Sequence, residues 1–223
     1  MKKIILLTAL MLIASTALFA EDNNSSGTGE EKAKPKYFTK TLIPASSKLT
    51  FSGYGAPTVG VSQINGNWVT TTGMRGGLII NGANQGVVIG MACEGVAYPN
   101  SSRSFTDETY PDEQKNVSIG WGGVLFEYHF MPRSLVHFSI GTTLGAGGIA
   151  FYNPHDDTDD DTYNTDSFFV AEPELAAYIN ITKFARLGAA ASYRYSYGIN
   201  TDGFSDADFR NFGGKILFEF GWF

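Results

Sequence analysis

The sequence predicts an all-β fold, an eight-stranded antiparallel transmembrane β-barrel wound as an up-and-down meander, and three observations carry the prediction. Apolar residues recur at every second position over eight separate segments; the connections between those segments alternate between short and long; and the opposite face of each segment is built from small residues and isolated charges. A period of two marks a strand with two different faces. Alternating connection lengths are what a membrane barrel shows when both chain ends lie on one side of the membrane.

Composition sets the limits first. The chain has 223 residues, 43% hydrophobic, 14% aromatic and 17% charged, with 26 glycines. Its mean hydropathy of −0.08 is too polar for a helical membrane bundle. The 17 Phe and 11 Tyr supply apolar surface that a disordered chain lacks. A net charge of −6 argues against a nucleic-acid partner, which is held by neutralising phosphates. The single cysteine, Cys93, excludes an internal disulfide and any multi-cysteine metal site.

Residues 1–20 read as a secretory signal peptide: Lys2 and Lys3 precede an apolar run from Ile4 to Ile13, and small residues follow at Ala14, Ser15, Ala17 and Ala20. Cleavage is expected after Ala20, with Ala17 as the other site. The run is shorter than the ~20 residues of a spanning helix. Loss of Lys2 and Lys3 leaves 14 basic against 22 acidic residues, a net charge near −8. Residues 21–46 mix Asn, Ser, Gly, Glu, Lys and Pro without apolar periodicity and read as a flexible periplasmic linker. The barrel is assigned to residues 47–223.

The eight segments run roughly over 48–64, 67–81, 85–98, 116–130, 134–151, 167–181, 185–198 and 210–223. The fifth alternates clearly, with Val136, Phe138, Ile140, Thr142, Leu144 and Ala146 on one face and His137, Ser139, Gly141, Thr143 and Gly145 on the other. The seventh sets Leu187, Ala189, Ala191, Tyr193, Tyr195 and Tyr197 against Arg186, Gly188, Ala190, Ser192, Arg194 and Ser196. A helix is also conceivable for Ser134 to His155, 22 residues without Asp, Glu, Lys or Arg, but its four glycines and its alternation argue for a strand. Short connections follow segments two, four and six, at 82–84, 131–133 and 182–184. Long acidic ones follow segments three, five and seven, at 99–115, 152–166 and 199–209. The connection near Asn65 to Asn67 is short and breaks this rule. Pro57 and Pro173 fall inside strands and each predicts a bulge or local break, because proline removes a ladder donor.

Turn positions suggest register. A turn centred near Arg133 pairs Phe130 with Val136, Tyr128 with Phe138 and Phe126 with Ile140, and it sets His129 opposite His137 and Glu127 opposite Ser139. A turn centred near Lys183 pairs Ile179 with Leu187 and sets Glu172 opposite Arg194, so that opposite charges meet inside.

With this pattern in place, the chain resembles the small eight-stranded bacterial outer-membrane barrels of the OmpX, Ail and opacity-protein type over roughly residues 47–223. The ending KILFEFGWF resembles the aromatic C-terminal strand that such proteins present to the barrel-assembly machinery, which here implies Phe218, Phe220, Trp222 and Phe223. Ile216, Phe218, Phe220 and Trp222 share a face, leaving Phe223 as an overhang. Segments such as FSGYGAPTVG, SLVHFSIGTTLGAGG, FFVAEPEL and ASYRYSYG look like a family of uncharacterised outer-membrane proteins, a resemblance that implies fold and location but no activity.

Arg75, Glu94, Glu127, Glu172, Glu174, Arg186, Arg194, Lys215 and Glu219 all take the inward parity of their strands and predict an interior charge network, since buried charges persist only when paired. The alternative for these residues is a narrow pore, against which an eight-stranded barrel is about wide enough for side chains alone. His129 and His137 with Glu127 and Ser139 contain the residue types of a hydrolytic Ser-His-Glu site, as in lipid A deacylating barrels. Parity aims all four into the lumen near the periplasmic end, away from an outer-leaflet substrate, so they are read as polar filling and no catalytic residue is assigned. Asp156, Asp157, Asp159, Asp160, Asp161 and Asp166 crowd eleven positions and suit a solvated loop, or weak divalent cations bridging to lipopolysaccharide phosphates. The loop lacks the glycine and glutamate of an EF-hand, and no cofactor or metal is assigned. Tyr128, Phe130, Phe151, Tyr152, Phe168, Phe169, Tyr195, Tyr197 and Trp222 suit the aromatic girdles of a barrel, and Cys93 takes the lipid-facing parity. The sequence thus predicts a structural or surface-interacting barrel in contact with outer-membrane lipid and lipopolysaccharide, with a narrow pore and a lipid-modifying enzyme as the alternatives.

Overall fold

In the computed structural model the described residues are 49–82, 84–97, 105–107, 110–152, 162–201 and 204–223. The expected leader (1–20) and linker (21–46) lie outside them. The elements in chain order are β1 (Thr50–Ile64), β2 (Asn67–Asn81), β3 (Gln85–Ala97), β4 (Phe105–Asp107), β5 (Tyr110–Phe130), β6 (Val136–Tyr152), β7 (Thr162–Asn180), β8 (Ala185–Tyr197), α1 (Asp206–Phe209) and β9 (Asn211–Gly221). Every pairing is antiparallel. β1 pairs with both β2 and β9, and β3 pairs with β5, so eight strands close on themselves while β4 forms a short hairpin on the extension of β5. Closure removes the unpaired sheet edge that lipid would not tolerate. Each of the eight has at least the ~9 residues that cross a bilayer on a tilt.

Alternation sorts the side chains as the sequence predicts. Val59, Val61, Met74, Leu78, Ile89, Met91, Val124, Ile140, Leu144, Leu175, Ile179, Leu187 and Ile216 are exposed around the outer surface. Aromatics border this belt: Phe130, Phe138, Phe218, Phe220 and Trp222 toward the short turns, and Trp68, Phe169, Tyr195, Tyr197 and Phe212 toward the long connections. Soluble monomers rarely expose so continuous an apolar band. Cys93 is free and exposed on the outer face. Phe168 departs from its expected girdle position: it is inward and buried, because Gly147 opposite it leaves room for the ring. The side chains of Phe151 and Tyr152 lie outside the described residues.

Two other expectations need correction, the β5–β6 register and the starts of β5 and β7. The β5–β6 register is displaced by two residues, pairing Phe130 with Phe138, Tyr128 with Ile140, His129 with Ser139 and Glu127 with Gly141. The cause is a connection of five residues, Met131 to Leu135, entered through Met131 at φ 51°. Because the slip is even, every side chain keeps its face. Of the bulge or local break expected at each strand proline, the break is found and the bulge is not. Pairing with β9 lapses at Pro57 and pairing with β8 lapses at Pro173, yet the register on either side is unchanged. The short connection at Asn65 is a two-residue Asn-Gly hairpin with φ of 48° and 70°, the left-handed pair that such a turn requires. Finally, β5 begins at Tyr110 and β7 at Thr162, within spans expected to be loops.

Candidate functional site: a charged interior closed at both ends

The lumen is filled from its walls. Arg75, Glu127, Glu172, Glu174, Arg186, Arg194 and Glu219 are buried, and Glu94 and Lys215 expose only 12% and 8% of their side chains. All nine predicted interior charges therefore point inward, and eight strands enclose just enough space for them.

Two hubs organise the network. Near the middle, Arg75 donates through Nη1 to Glu174 Oε1 (2.8 Å) and Glu127 Oε1 (3.2 Å), and through Nη2 to Glu174 Oε1 (2.9 Å) and the Tyr178 hydroxyl (3.3 Å). Tyr54 OH donates to Glu127 Oε2 at 2.8 Å. Toward the long connections, Lys215 Nζ meets three carboxylates: Glu94, Glu172 at 2.8 Å and Glu174 at 3.2 Å. Glu174 thus links the hubs. Glu172 also accepts from Trp121 Nε1 at 2.9 Å and Ser192 Oγ at 2.7 Å. A cavity of about 10 Å³ bordered by Ser62, Thr71, Glu94, Glu172 and Lys215 has room for about one water.

The expected Glu172–Arg194 ion pair is not formed. The β7–β8 register is as predicted, with Ala171 beside Tyr195 and Glu174 beside Ser192. Arg194 turns away from Glu172, donating to Phe209 O (3.0 Å), Ser62 Oγ (3.1 Å) and Gln63 O (3.2 Å). Its guanidinium lies 4.2 Å from the Trp121 ring centroid, and the same indole bonds to the acid. The carbonyls of Phe209 at the end of α1 and of Gln63 near the end of β1 satisfy Arg194, and Lys215 satisfies Glu172.

Each end of the lumen carries an apolar stopper. At the end with long connections, Phe204 and Phe209 pack on Ile64, Val69, Ile119, Trp121, Ile149, Phe168 and Val170. The connection carrying them is tied down: Ile199 N donates to Asp206 Oδ1 (2.8 Å), Arg210 Nε to Ser196 O (2.9 Å), and Asn65 N to Asp208 O (2.9 Å). Asn200 N donates to Asp166 Oδ2 at 2.6 Å, so Asp166 belongs to this clasp and to β7 instead of a free acidic loop. Asp156, Asp157, Asp159, Asp160 and Asp161 lie outside the described residues. At the turn end, Phe223 packs against Tyr54, Ala56, Ile79 and Val88, with the Arg186 guanidinium 3.5 Å from its ring centroid. Arg186 is held by Asn180 Oδ1 (2.7 Å), Pro132 O (3.3 Å) and Glu219 (3.9 Å). Phe223 is thus the inward-facing plug of that end, while Trp222, at 81% exposure, ends the outward set.

The two histidines are buried in the lumen around Tyr178. His137 stacks on Tyr178 with centroids 5.1 Å apart, and His129 lies 5.4 Å from the same ring. Their ring nitrogens make no hydrogen bond among the described residues, so neither histidine accepts one from Ser139, although Ser139 is the register partner of His129. His129 Nε2 stands 3.6 Å from Glu127 Oε2. Parity alone could have found Tyr54, Trp121, Tyr178 and Ser192, which share the inward face with the charges. Phe204 and Phe209 lie in an aperiodic connection and carry no such signal.

A closed antiparallel meander of eight strands with an apolar exterior and an ion-paired interior defines a small β-barrel of the outer-membrane type. Solved structures of that class match it. Neisserial surface protein A aligns with a TM-score of 0.50 and 11% identity, covering 78% of this chain and 98% of that one. Ail, the attachment invasion locus protein of Yersinia pestis, aligns at 0.48 and 12% identity, covering 77% and 97%. The N-terminal β-barrel domain of Pseudomonas aeruginosa OprF aligns at 0.43 and 10%, covering 76% and 97%. No family model matches the chain. No curated protein matches it by sequence either. At these identities the likeness is one of fold.

Proposed function

We propose that the protein is an outer-membrane barrel with a structural or surface-interacting role, its short turns toward the periplasm and its long connections outside the cell. The observation that carries this reading is the pairing of an exposed apolar belt with a lumen stoppered by Phe204 and Phe209 at one end and Phe223 at the other. A belt of that kind has lipid as its solvent. A lumen filled by paired charges stabilises the wall and offers no open path, so the role falls to the surfaces at the barrel's ends. The acidic composition of the outer connections suits contact with cationic partners, or with lipopolysaccharide through divalent ions.

The test has two arms. The folded protein is expected to fractionate with outer membranes and to migrate differently on gels before and after boiling, because a closed ladder resists detergent; a soluble periplasmic monomer would refute the barrel. Reconstituted in planar bilayers, it is expected to give no steady conductance. Discrete conductance steps would refute the closed lumen and favour a pore.

A further inference from the structure

We propose that the turn end of the barrel carries a site for the phosphate of anionic phospholipid, formed by Arg133 and Lys183 on two adjacent turns. The site deepens the membrane reading above and rests on it.

The two turns are locked side by side. Asn180 N donates to Leu135 O at 2.9 Å, Asn180 Nδ2 to Pro132 O at 3.0 Å and Ser134 O at 2.6 Å, and Arg186 Nη2 to Pro132 O at 3.3 Å. Arg133 and Lys183 occupy the tips of those laced turns, both exposed. Every other Lys or Arg with a described side chain, namely Arg75, Arg186, Arg194, Arg210 and Lys215, is engaged by a carboxylate or a carbonyl. Arg133 and Lys183 make no ion pair or hydrogen bond among the described residues.

Their surroundings say which anion they face. Met131, Leu135, Ile181 and Phe184 flank the tips at 53%, 70%, 62% and 60% exposure. The end of β9 joins the same rim, where Gly221 N donates to Phe184 O at 3.0 Å beside the exposed Trp222. Apolar side chains that enter the acyl layer next to long cations that reach outward match the boundary between tail and headgroup. The connections at the opposite end are rich in Asp and Glu, which repel phosphate. Charge complementarity therefore assigns the site to the phospholipid of the turn-side leaflet, and not to lipopolysaccharide.

A basic residue at an anionic lipid surface contributes about 1 kcal/mol, so two give a preference of roughly thirtyfold for an anionic over a zwitterionic headgroup. The full chain would be folded into vesicles of phosphatidylcholine mixed with phosphatidylglycerol, extracted, and the retained lipid counted by native mass spectrometry. Wild type is expected to keep phosphatidylglycerol about thirtyfold over phosphatidylcholine, the preference weakening as salt rises. Arg133→Gln with Lys183→Gln is expected to keep the two lipids alike while its gel shift on boiling is unchanged, which shows an intact barrel. A wild type without preference, or a double variant that retains it, would overturn the site. Displacement of phosphatidylglycerol by equimolar lipid A would overturn the leaflet assignment. Absence of any heat-dependent gel shift in pure phosphatidylcholine would overturn the membrane reading itself, and the site with it.

Discussion

Replacing Lys215 by Met removes the ammonium that three carboxylates share, and the structure says which of them suffers. Glu174 keeps Arg75 through both terminal nitrogens. Glu172 keeps the Trp121 indole and the Ser192 hydroxyl. Glu94 has Lys215 as its described hydrogen-bond partner and loses it. Leaving one carboxylate orphaned in a lumen where its side chain is 12% exposed is expected to cost about 3 to 5 kcal/mol. That is a factor of roughly 10² to 10⁴ in the folding equilibrium. Reversible urea unfolding in lipid vesicles measures it, with Trp121 beside the site as fluorophore. Glu94→Gln added to Lys215→Met is expected to recover about half or more of the loss, since the orphaned charge is gone, whereas Glu172→Gln added to the same variant recovers less. A strictly additive Glu94–Lys215 cycle, or equal recovery by both second substitutions, would refute the assignment of Glu94 as the dependent partner.

Three further outcomes follow from the same geometry. Arg194→Leu and Glu172→Gln are expected to couple only modestly, by about 0.5 to 1 kcal/mol, in a double-mutant cycle, because the two share Trp121 but form no ion pair; a coupling above about 2 kcal/mol would mean the two charges do meet. Gly188→Val is expected to lower unfolding stability by about 1 to 3 kcal/mol, because a Cβ there would stand 2.6 Å from the Tyr178 ring, and a variant as stable as wild type would show that the ring is not fixed. Cysteine placed at Ser205 is expected to react with an impermeant maleimide on intact cells and cysteine at Arg133 is not, with the opposite pattern inverting the barrel; the companion sites Ser102 and Thr158 lie outside the described residues.

Local sequence determined which residues face lipid and which face the lumen, because a strand turns its side chains by half a revolution per residue and lipid tolerates no charge on one of the two faces. That rule alone placed Arg75, Glu94, Glu127, Glu172, Glu174, Arg186, Arg194, Lys215 and Glu219 inside, and it survived a two-residue slip between β5 and β6 because an even slip preserves the face. Which charge binds which was decided only by the closed barrel. Arg75 on β2 reaches Glu174 on β7, and Lys215 on β9 reaches Glu94 on β3, across a lumen whose walls are far apart in sequence. Neighbour-to-neighbour register could therefore align Glu172 with Arg194 and still mispair them, since a long side chain in a narrow enclosure takes the best partner from any wall. The stoppers belong to the same category. Phe204 and Phe209 lie in a connection without periodicity, and Phe223 one residue beyond an alternating strand, so their inward packing exists only once eight strands have closed and left two openings to fill.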